Sequence, residues 1–242
     1  MYVGRMVSEH TLAQAPARLG YADLRELMSL MTGDEKHSEA ATSTLDVLWL
    51  LHDRILRVDP SNPTDPGRDR FHLSKGHGPM AYFAVLAAKG FIDPDLLSGF
   101  GTFDSPLGHH PDRLRLDGVE TSSGSLGHGL PIALGTVFAL NLGGLDGRVF
   151  VMMGDGELDE GSNHEAIALA GRLGMERLTA IVVDNGSAAH GWPDGIGRRF
   201  EVEGWASREV DGRDHAAIEA ALRTEHDDRP LVVVAKVGSS HG

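Results

Sequence analysis

The sequence contains no cysteine, few aromatic residues and fewer basic than acidic side chains. Without cysteine, disulfide bonds and thiol catalysis are excluded, which fits a reducing cytoplasm. The net charge of −13 argues against general affinity for nucleic acids or anionic membranes, because both attract basic surfaces. No apolar run approaches the roughly twenty residues of a membrane-spanning helix, and the first ten residues lack the apolar core of a secretory signal. We therefore expect a cytoplasmic protein that binds neither nucleic acid nor membrane.

The length of 242 residues suits one α/β domain, and the 41% hydrophobic content is typical of globular proteins. We predict an N-terminal extension over residues 1–20 and one domain over residues 21–242, with a doubly wound, mostly parallel sheet flanked by helices. Apolar spacing and capping residues predict helices over residues 21–31, 42–58, 79–89, 130–142, 162–173 and 214–224. Short β-branched runs predict strands over residues 148–153, 178–184, 206–210 and 231–237. Residues 59–67 and 186–197 are predicted to be loops.

Two predicted strands end in residues that carry oxygen donors. Asp155 follows the first strand between Gly154 and Gly156, and Asn185 follows the second. With the helix predicted between them, the strands form a βαβ unit, whose right-handed crossover brings both carboxyl ends to the sheet edge where such folds bind ligands. Mg²⁺ prefers oxygen ligands and often shares them with substrate phosphates. The predicted metal ligands are therefore Asp155, Asn185 and the carbonyl of Ser187, with an ordinary strand-to-turn Gly-Asp-Gly as the alternative.

Five motifs occur in order along the chain. They are Phe71-His-Leu-Ser-Lys-Gly-His77-Gly78, Gly108-His-His110-Pro111, Gly118-Val-Glu120, Gly124-Ser-Leu-Gly127-His-Gly129 and Gly154-Asp-Gly-Glu-Leu-Asp-Glu160-Gly-Ser-Asn-His-Glu165-Ala. With them the chain resembles the amino-terminal half of transketolases, and the ordered set is far more specific than any single motif. The resemblance implies a thiamine-diphosphate-binding fold that uses thiamine diphosphate and Mg²⁺, or Ca²⁺ or Mn²⁺ in its place. It also implies transfer of a two-carbon ketol unit from a ketose to an aldose, with sugars or sugar phosphates as substrates.

The resemblance also assigns residues to the cofactor. Gly154 and Gly156 allow the backbone to approach a diphosphate because they carry no Cβ. The loop at Gly124 is expected over the thiazolium ring and the diphosphate, where Leu126 offers an apolar wall. The cofactor-binding residues that the resemblance implies are His77, Gly124, Ser125, Leu126, Gly154, Asp155, Gly156, Asn185 and His241.

Two more histidines are implied to act on the substrate. His110 matches the histidine that faces the donor's carbonyl and hydroxyl groups in transketolases, and a surface loop histidine is the alternative. His37 precedes Asp46 by the family's spacing and is matched to another substrate-facing histidine. Lys36 and Glu39 stand where the family has flanking glycines, so a solvated histidine at a helix start is the alternative for His37. The resemblance thus names His37 and His110 as the catalytic residues.

The family's pyrimidine-binding domain has no counterpart in this sequence. In transketolases that domain carries the glutamate that activates the cofactor. We therefore expect this chain to be the α-type subunit of a split transketolase. Its expected partner is a separate C-terminal, pyrimidine-domain subunit, in a heterodimer or an α2β2 heterotetramer. Glu160 and Glu165 match acidic residues at the family's dimer interface that connect two active sites through shared protons, and exposed helix carboxylates are the alternative.

Two other functional classes stay open. The chain is alternatively a subunit of another thiamine-diphosphate enzyme, of the 2-oxoacid decarboxylase or dehydrogenase type, or a non-catalytic regulatory subunit. The motifs around His77 and His110 disfavour the first class. The presence of both Asp155 and Asn185 disfavours the second, because a scaffold gains nothing from holding a metal.

Overall fold

The computed structural model describes residues 19–33 and 39–238. In this part of the chain five strands form one sheet in the order β1-β2-β3-β5-β4, and each neighbouring pair is parallel. The strands are β1 (Arg70–Leu73), β2 (Val149–Gly154), β3 (Leu178–Asp184), β4 (Ala206–Asp211) and β5 (Leu231–Lys236). The last four match the predicted strands to within one residue. Strand β1 was not predicted, because it has only four residues and two of them are Arg70 and His72.

Eight α-helices flank the sheet in the described residues. They are α1 (Leu24–Leu30), α2 (Glu39–Thr42), α3 (Leu45–Leu50), α4 (Met80–Ala88), α5 (Gly129–Leu142), α6 (Gly161–Arg172), α7 (Ile196–Glu201) and α8 (His215–Leu222). Short 3-10 helices lie at Tyr21–Asp23, Pro94–Gly99 and Gly156–Asp159. None of these helices has both the length and the apolar character needed to cross a bilayer.

The prediction of one continuous helix over residues 42–58 was wrong. Helix α3 ends at Leu50, and the chain then makes a π-helical turn over Leu51–Ile55. The N–H of Leu56 donates to the carbonyl of Leu51, five residues earlier, and Leu56 itself is extended. The apolar spacing continues through this turn, so the sequence pattern did not show where the α-helix stops. The predicted loop over residues 186–197 likewise ends early, because α7 starts at Ile196.

The sheet separates two apolar cores, because alternate side chains of a strand lie on opposite faces. Phe150 and Met152 of β2 join the core formed with α1, α3, α4 and α8. Val149, Val151 and Met153 join the core formed with α5, α6 and α7. Strands buried on both faces have continuous apolar sequences instead of alternating ones. The observed layers are those of the predicted doubly wound α/β fold.

Two histidines, His52 after α3 and His72 in β1, have buried side chains. His52, in the π-helical turn, places Nδ1 2.9 Å from the carbonyl oxygen of Leu48 and contacts the ring of Phe71 edge-on. His72, in β1, places Nδ1 2.5 Å from the hydroxyl of Thr121. Burial lowers the pKa of each histidine from 6.5 to about 4. Both rings are therefore neutral in the folded protein at neutral pH.

We expect the free energy of unfolding to fall as the pH drops from 6.5 towards 4. In that window the histidines are protonated in the unfolded chain and neutral in the folded one, so acid favours unfolding. For each histidine, the free energy of unfolding falls by about 1.4 kcal/mol for every unit by which its pKa in the folded protein lies below that in the unfolded chain. His52→Leu should flatten this pH dependence in urea denaturation experiments. The exposed His190 provides the control, since His190→Leu should leave the slope unchanged. A wild-type slope in the His52 variant would contradict the assignment.

Candidate functional site

A cavity of about 380 Å³ lies at the sheet edge where β1, β2 and β3 end. Each strand end contributes polar side chains to its wall. They are Lys75 and His77 after β1, Asp155 and Glu157 after β2, and Asn185 and Ser187 after β3. The sheet therefore brings residues that are far apart in the sequence into one site, as the parallel arrangement predicts.

Asp155 and the loop after β3 form the oxygen-rich part of the cavity. The Asp155 carboxylate is buried and accepts hydrogen bonds from the hydroxyl of Ser187 (2.8 Å) and the N–H of Ala188 (2.9 Å). The side-chain oxygen of Asn185 accepts from the N–H of Ser187 (3.2 Å). The carbonyl oxygen of Ser187 lies 3.8 Å from the place that a Cβ on Gly156 would take. The three predicted metal ligands thus adjoin one another and offer a carboxylate, an amide oxygen and a carbonyl, which are oxygen donors suited to Mg²⁺.

Three loops, one of which carries His77 of the cavity wall, pack closely on one another. A Cβ on Gly76, which has a φ of +70°, would lie 2.7 Å from the backbone nitrogen of Gly124. A Cβ on Gly124 would in turn lie 3.1 Å from the ring of His110. The approach to backbone at Gly76 excludes a larger residue there. The loops that carry His77, His110 and Gly124 are therefore packed together, although the sequence separates them by about thirty and fifteen residues.

The histidines of the first two of these loops differ in their contacts. The Nδ1 atom of His77 lies 3.0 Å from the carbonyl oxygen of Lys75. Partial burial, with the nearby charges of Lys75 and His110, lowers the pKa of His77. His110 is exposed and lies against residues 124–128, the glycine loop, whereas the ring of His109 packs on Phe100. His77 thus lines the cavity, and His110 is connected to it through the glycine loop.

Glu157 is a buried carboxyl group to which the sequence analysis gave no role. One of its oxygens, Oε1, accepts hydrogen bonds from the hydroxyl of Ser74 and from the N–H of Gly127 (2.8 Å). The hydroxyl oxygen of Ser74 accepts from the N–H of Gly129 (2.9 Å). The other oxygen, Oε2, has no hydrogen-bond partner in the described part of the chain. Burial raises the pKa of Glu157, against the hydrogen bonds that lower it.

Lys75 is also buried and was also missed. Its side chain lines the cavity, with Nζ 3.5 Å from the hydroxyl of Ser43. Burial lowers the pKa of Lys75 to about 8, against the attraction of Asp155 and Glu157. The signal for Lys75 was present, because it lies inside the first motif between a strand end and Gly76. A lysine in a loop is usually solvated, however, and only the fold shows that this one is enclosed.

The remaining predicted residues fall into three groups. Leu126 lines the cavity, and Ser125 beside it is exposed. Glu160 and Glu165 are exposed at the start of α6, and a Cβ on Gly127 would lie 2.5 Å from the Cβ of Glu160. Glu160 therefore adjoins the glycine loop. His37, His241 and residues 1–18 of the predicted extension lie outside the described residues, and their assignments stay predictions.

A family model described as "Transketolase, thiamine diphosphate binding domain" matches residues 28–239. "Ferredoxin fas2" from Rhodococcoides fascians is 56% identical over 230 residues, which cover 95% of this chain and 76% of that protein. An apulose-4-phosphate transketolase subunit from Actinobacillus succinogenes is 34% identical over 213 residues, which cover 85% of this chain and 77% of that protein. "Transketolase 2" from Xanthobacter flavus is 37% identical over 255 residues, which cover 95% of this chain and 37% of that protein. The chain thus spans little more than a third of the last relative.

Solved structures show the same fold at lower identity. A transketolase from Campylobacter jejuni aligns with a TM-score of 0.70 at 24% identity, over 89% of this chain and 37% of that one. A transketolase from Pichia stipitis aligns with a TM-score of 0.73 at 22% identity, over 89% of this chain and 36% of that one. These likenesses confirm the predicted fold.

The name of the Rhodococcoides relative does not describe the site found here. Iron–sulfur clusters of the ferredoxin type are held by cysteine thiolates, and this sequence contains no cysteine. About a quarter of that relative lies outside the match. The match covers 95% of this chain, and the family model covers residues 28–239 of it.

The contact between the His77 loop and the glycine loop predicts a large penalty for Gly76→Ala. The new Cβ would overlap the backbone of Gly124, which cannot give way as a side chain can. The control is Gly186→Ala, because Gly186 has a similar φ of +74° but nothing within 4 Å of a Cβ. We expect Gly76→Ala to lower the free energy of unfolding by about 1–3 kcal/mol more than the control, as measured by urea denaturation. Equal losses would show that the two loops are not in contact.

Proposed function

The chain belongs to the transketolase family, and we propose that it is the cofactor-binding subunit of a two-chain transketolase. In this proposal it holds Mg²⁺ and the diphosphate of thiamine diphosphate, and a separate chain supplies the pyrimidine-binding domain. The complex transfers a two-carbon ketol unit from a ketose to an aldose in the cytoplasm. The observation that carries the proposal is the cavity that Asp155, Asn185 and Ser187 line together with Leu126 of the glycine loop.

The residues of the cavity fit both the cofactor and its metal. Asp155, Asn185 and the Ser187 carbonyl supply three oxygen ligands, which leaves positions for diphosphate oxygens and water. Gly154 and Gly156 flank the carboxylate without Cβ atoms, so backbone N–H groups can approach a phosphate. Ca²⁺ or Mn²⁺ can take the place of Mg²⁺, because both accept the same oxygen donors. Thiamine diphosphate, when bound, supplies carbanion stabilisation at its thiazolium ring.

Two histidines are proposed to orient the ligands around this centre. His77 lies next to the Lys75 carbonyl and is proposed to donate to the diphosphate. His110, which lies against the glycine loop, is proposed to hydrogen-bond the carbonyl and hydroxyl groups of the donor sugar. His37 is proposed for the same task, and His241 for the diphosphate, by resemblance to the family.

Helix α5 supports the need for a partner chain. It contains no charged residue, and its outer face exposes Ile132, Phe138 and Leu142. Leu169 on the adjoining helix α6 and Leu173, directly after it, are also exposed. In this proposal these exposed apolar side chains, the apolar patch, form the interface with the partner chain. Since α5 begins directly after the glycine loop, a chain docked on this patch would contact the helix that follows the wall of the cavity.

A relative of similar extent supports the division into two chains. The Actinobacillus protein is named as one subunit of a transketolase, and this chain matches 77% of it. By analogy the assembly is a heterodimer or an α2β2 heterotetramer. Glu160, exposed beside the glycine loop, and Glu165, exposed on α6, are proposed to lie at its interface and to connect two active sites through shared protons.

We expect the purified chain to show no ketol transfer alone and to gain it when mixed with the pyrimidine-domain chain. The reason is that the activating glutamate belongs to the second chain. The measurement is turnover with a panel of ketose donors and an aldose acceptor, in the presence of thiamine diphosphate and Mg²⁺. Turnover by the single chain would contradict the proposal.

The apolar patch supplies a matched control for this experiment. Leu142→Glu places a charge on the outer face of α5 at a residue that is 89% exposed, so the fold should survive. Leu30→Glu places the same charge at a residue that is 47% exposed on α1, which packs on the opposite face of the sheet from α5. Only the first variant should lose association with the partner in analytical ultracentrifugation. Equal association of both variants would place the interface elsewhere.

The proposed role of His110 predicts a loss confined to the substrate. His110→Ala should lower kcat/KM for ketol transfer by about 1–3 kcal/mol of transition-state binding, because a hydrogen bond to the donor is lost. Its affinity for thiamine diphosphate, measured by calorimetry, should not change. His109→Ala is the control and should keep kcat/KM near wild type, because His109 packs on Phe100. A weakened cofactor affinity in the His110 variant would instead place this loop on the cofactor.

A further inference from the structure

Lys75 is the one buried lysine among the described residues. Lysines are rare in this chain, which has only four among its 22 basic residues. Lys75 is also the single lysine or arginine among the described side chains that line the cavity of the proposed site. Burying an ammonium group is costly unless nearby negative charge compensates it. An anion that enters the cavity is therefore attracted by the Lys75 ammonium group and stabilises its charged form.

The charges inside the cavity favour a phosphate as that anion. Asp155 and Glu157 both lie within electrostatic range of Lys75, and both are buried. A metal ion on Asp155 would occupy that carboxylate and draw phosphate oxygens towards it. The phosphates would then lie close to Glu157. Among the described lining residues, Lys75 is the one lysine or arginine, and its ammonium group offers three donors to such a phosphate.

The depth of Lys75 indicates which part of the ligand it meets. Its exposed fraction is 7%, whereas His77, two residues later, is exposed at the mouth. A cofactor that keeps its ring near Leu126 and its diphosphate in the cavity has its terminal phosphate farthest from the ring. Building on the proposed function, we propose that Lys75 binds this terminal phosphate and makes the site selective for a diphosphate over a monophosphate ester.

The choice of lysine fits this task. Its ammonium is a compact charge with three donors on a flexible stem, and it can turn from the Ser43 hydroxyl, 3.5 Å away, to a phosphate oxygen. An arginine would bring a larger planar fork into a cavity of about 380 Å³ that must also hold the phosphates. Lysine is a common phosphate-binding residue for the same reason.

A purely structural role predicts a different behaviour. If Lys75 only neutralised the charges of Asp155 and Glu157, its loss would weaken the binding of every phosphate ester of thiamine to the same extent, because the cavity as a whole would change. If Lys75 binds the terminal phosphate, its loss weakens the binding of thiamine diphosphate and leaves the binding of thiamine monophosphate unchanged. The ratio of the two affinities therefore separates the two roles.

The test measures both affinities by calorimetry, with the full chain assembled with its partner and Mg²⁺ at saturation. Lys75→Gln should weaken the affinity for thiamine diphosphate by about 10- to 100-fold, as expected for a lost hydrogen bond to a charged group. The affinity for thiamine monophosphate should change by less than about threefold, within the effect of a single neutral hydrogen bond. Lys75→Met keeps the unbranched stem without a buried polar group and gives a second variant if the glutamine protein does not fold.

Lys89→Gln is the matched control, because Lys89 pairs with Asp53 at the end of α4 and does not line the cavity. It should leave both affinities unchanged. Equal weakening of the two esters in the Lys75 variants, or wild-type affinity for thiamine diphosphate, would overturn the inference while the proposed function stands. A wild-type complex that binds neither ester would overturn the proposed function and this inference with it.

Discussion

One buried oxygen of Glu157 joins the three chain segments on which the cavity depends. It accepts from Ser74 after β1 and from Gly127 in the glycine loop, and it belongs to the turn after β2. Ser74 extends the connection to Gly129 at the start of α5. A Cβ on Gly129 would lie 2.2 Å from Ser74, so this approach requires glycine. The positions of Lys75 and His77 follow from it, because both lie within three residues of Ser74.

A second set of hydrogen bonds orders the metal side of the cavity. The Asp155 carboxylate accepts hydrogen bonds from Ser187 and Ala188, and the side-chain oxygen of Asn185 accepts one from the N–H of Ser187 in the same loop. These bonds place the three oxygen donors near one another in the protein alone, which reduces the ordering that a metal must impose when it binds. Asp155 is buried, so it supports the loop as well as offering a ligand. A change at Asp155 therefore affects the fold of the loop and not the ligation alone.

The sequence was sufficient for features that local pattern controls. Apolar β-branched runs located β2 to β5, and the strand ends located Asp155 and Asn185, because parallel strands end at one sheet edge. Contacts between distant segments could not be predicted from local pattern. Gly76 approaches Gly124, about 50 residues later in the chain. The hydrogen bonds of Glu157 join it to Gly127 and Ser74, about 30 and 80 residues earlier. Leu169 and Leu173 belonged to the apolar spacing that predicted α6, yet both are exposed. Spacing reports which residues are apolar but not what covers them.

The position of α5 connects the two halves of the proposed function. Its first residue, Gly129, is hydrogen-bonded to Ser74, and the loop before it is hydrogen-bonded to Glu157. A partner that docks on the outer face of α5 therefore bears on the segment that borders the cofactor cavity. Binding free energies between two such sites are reciprocal, so whatever docking adds to cofactor affinity, the cofactor adds equally to docking. In the proposed complex, coupling between partner docking and cofactor binding would pass through the buried hydrogen bonds of Glu157 and Ser74.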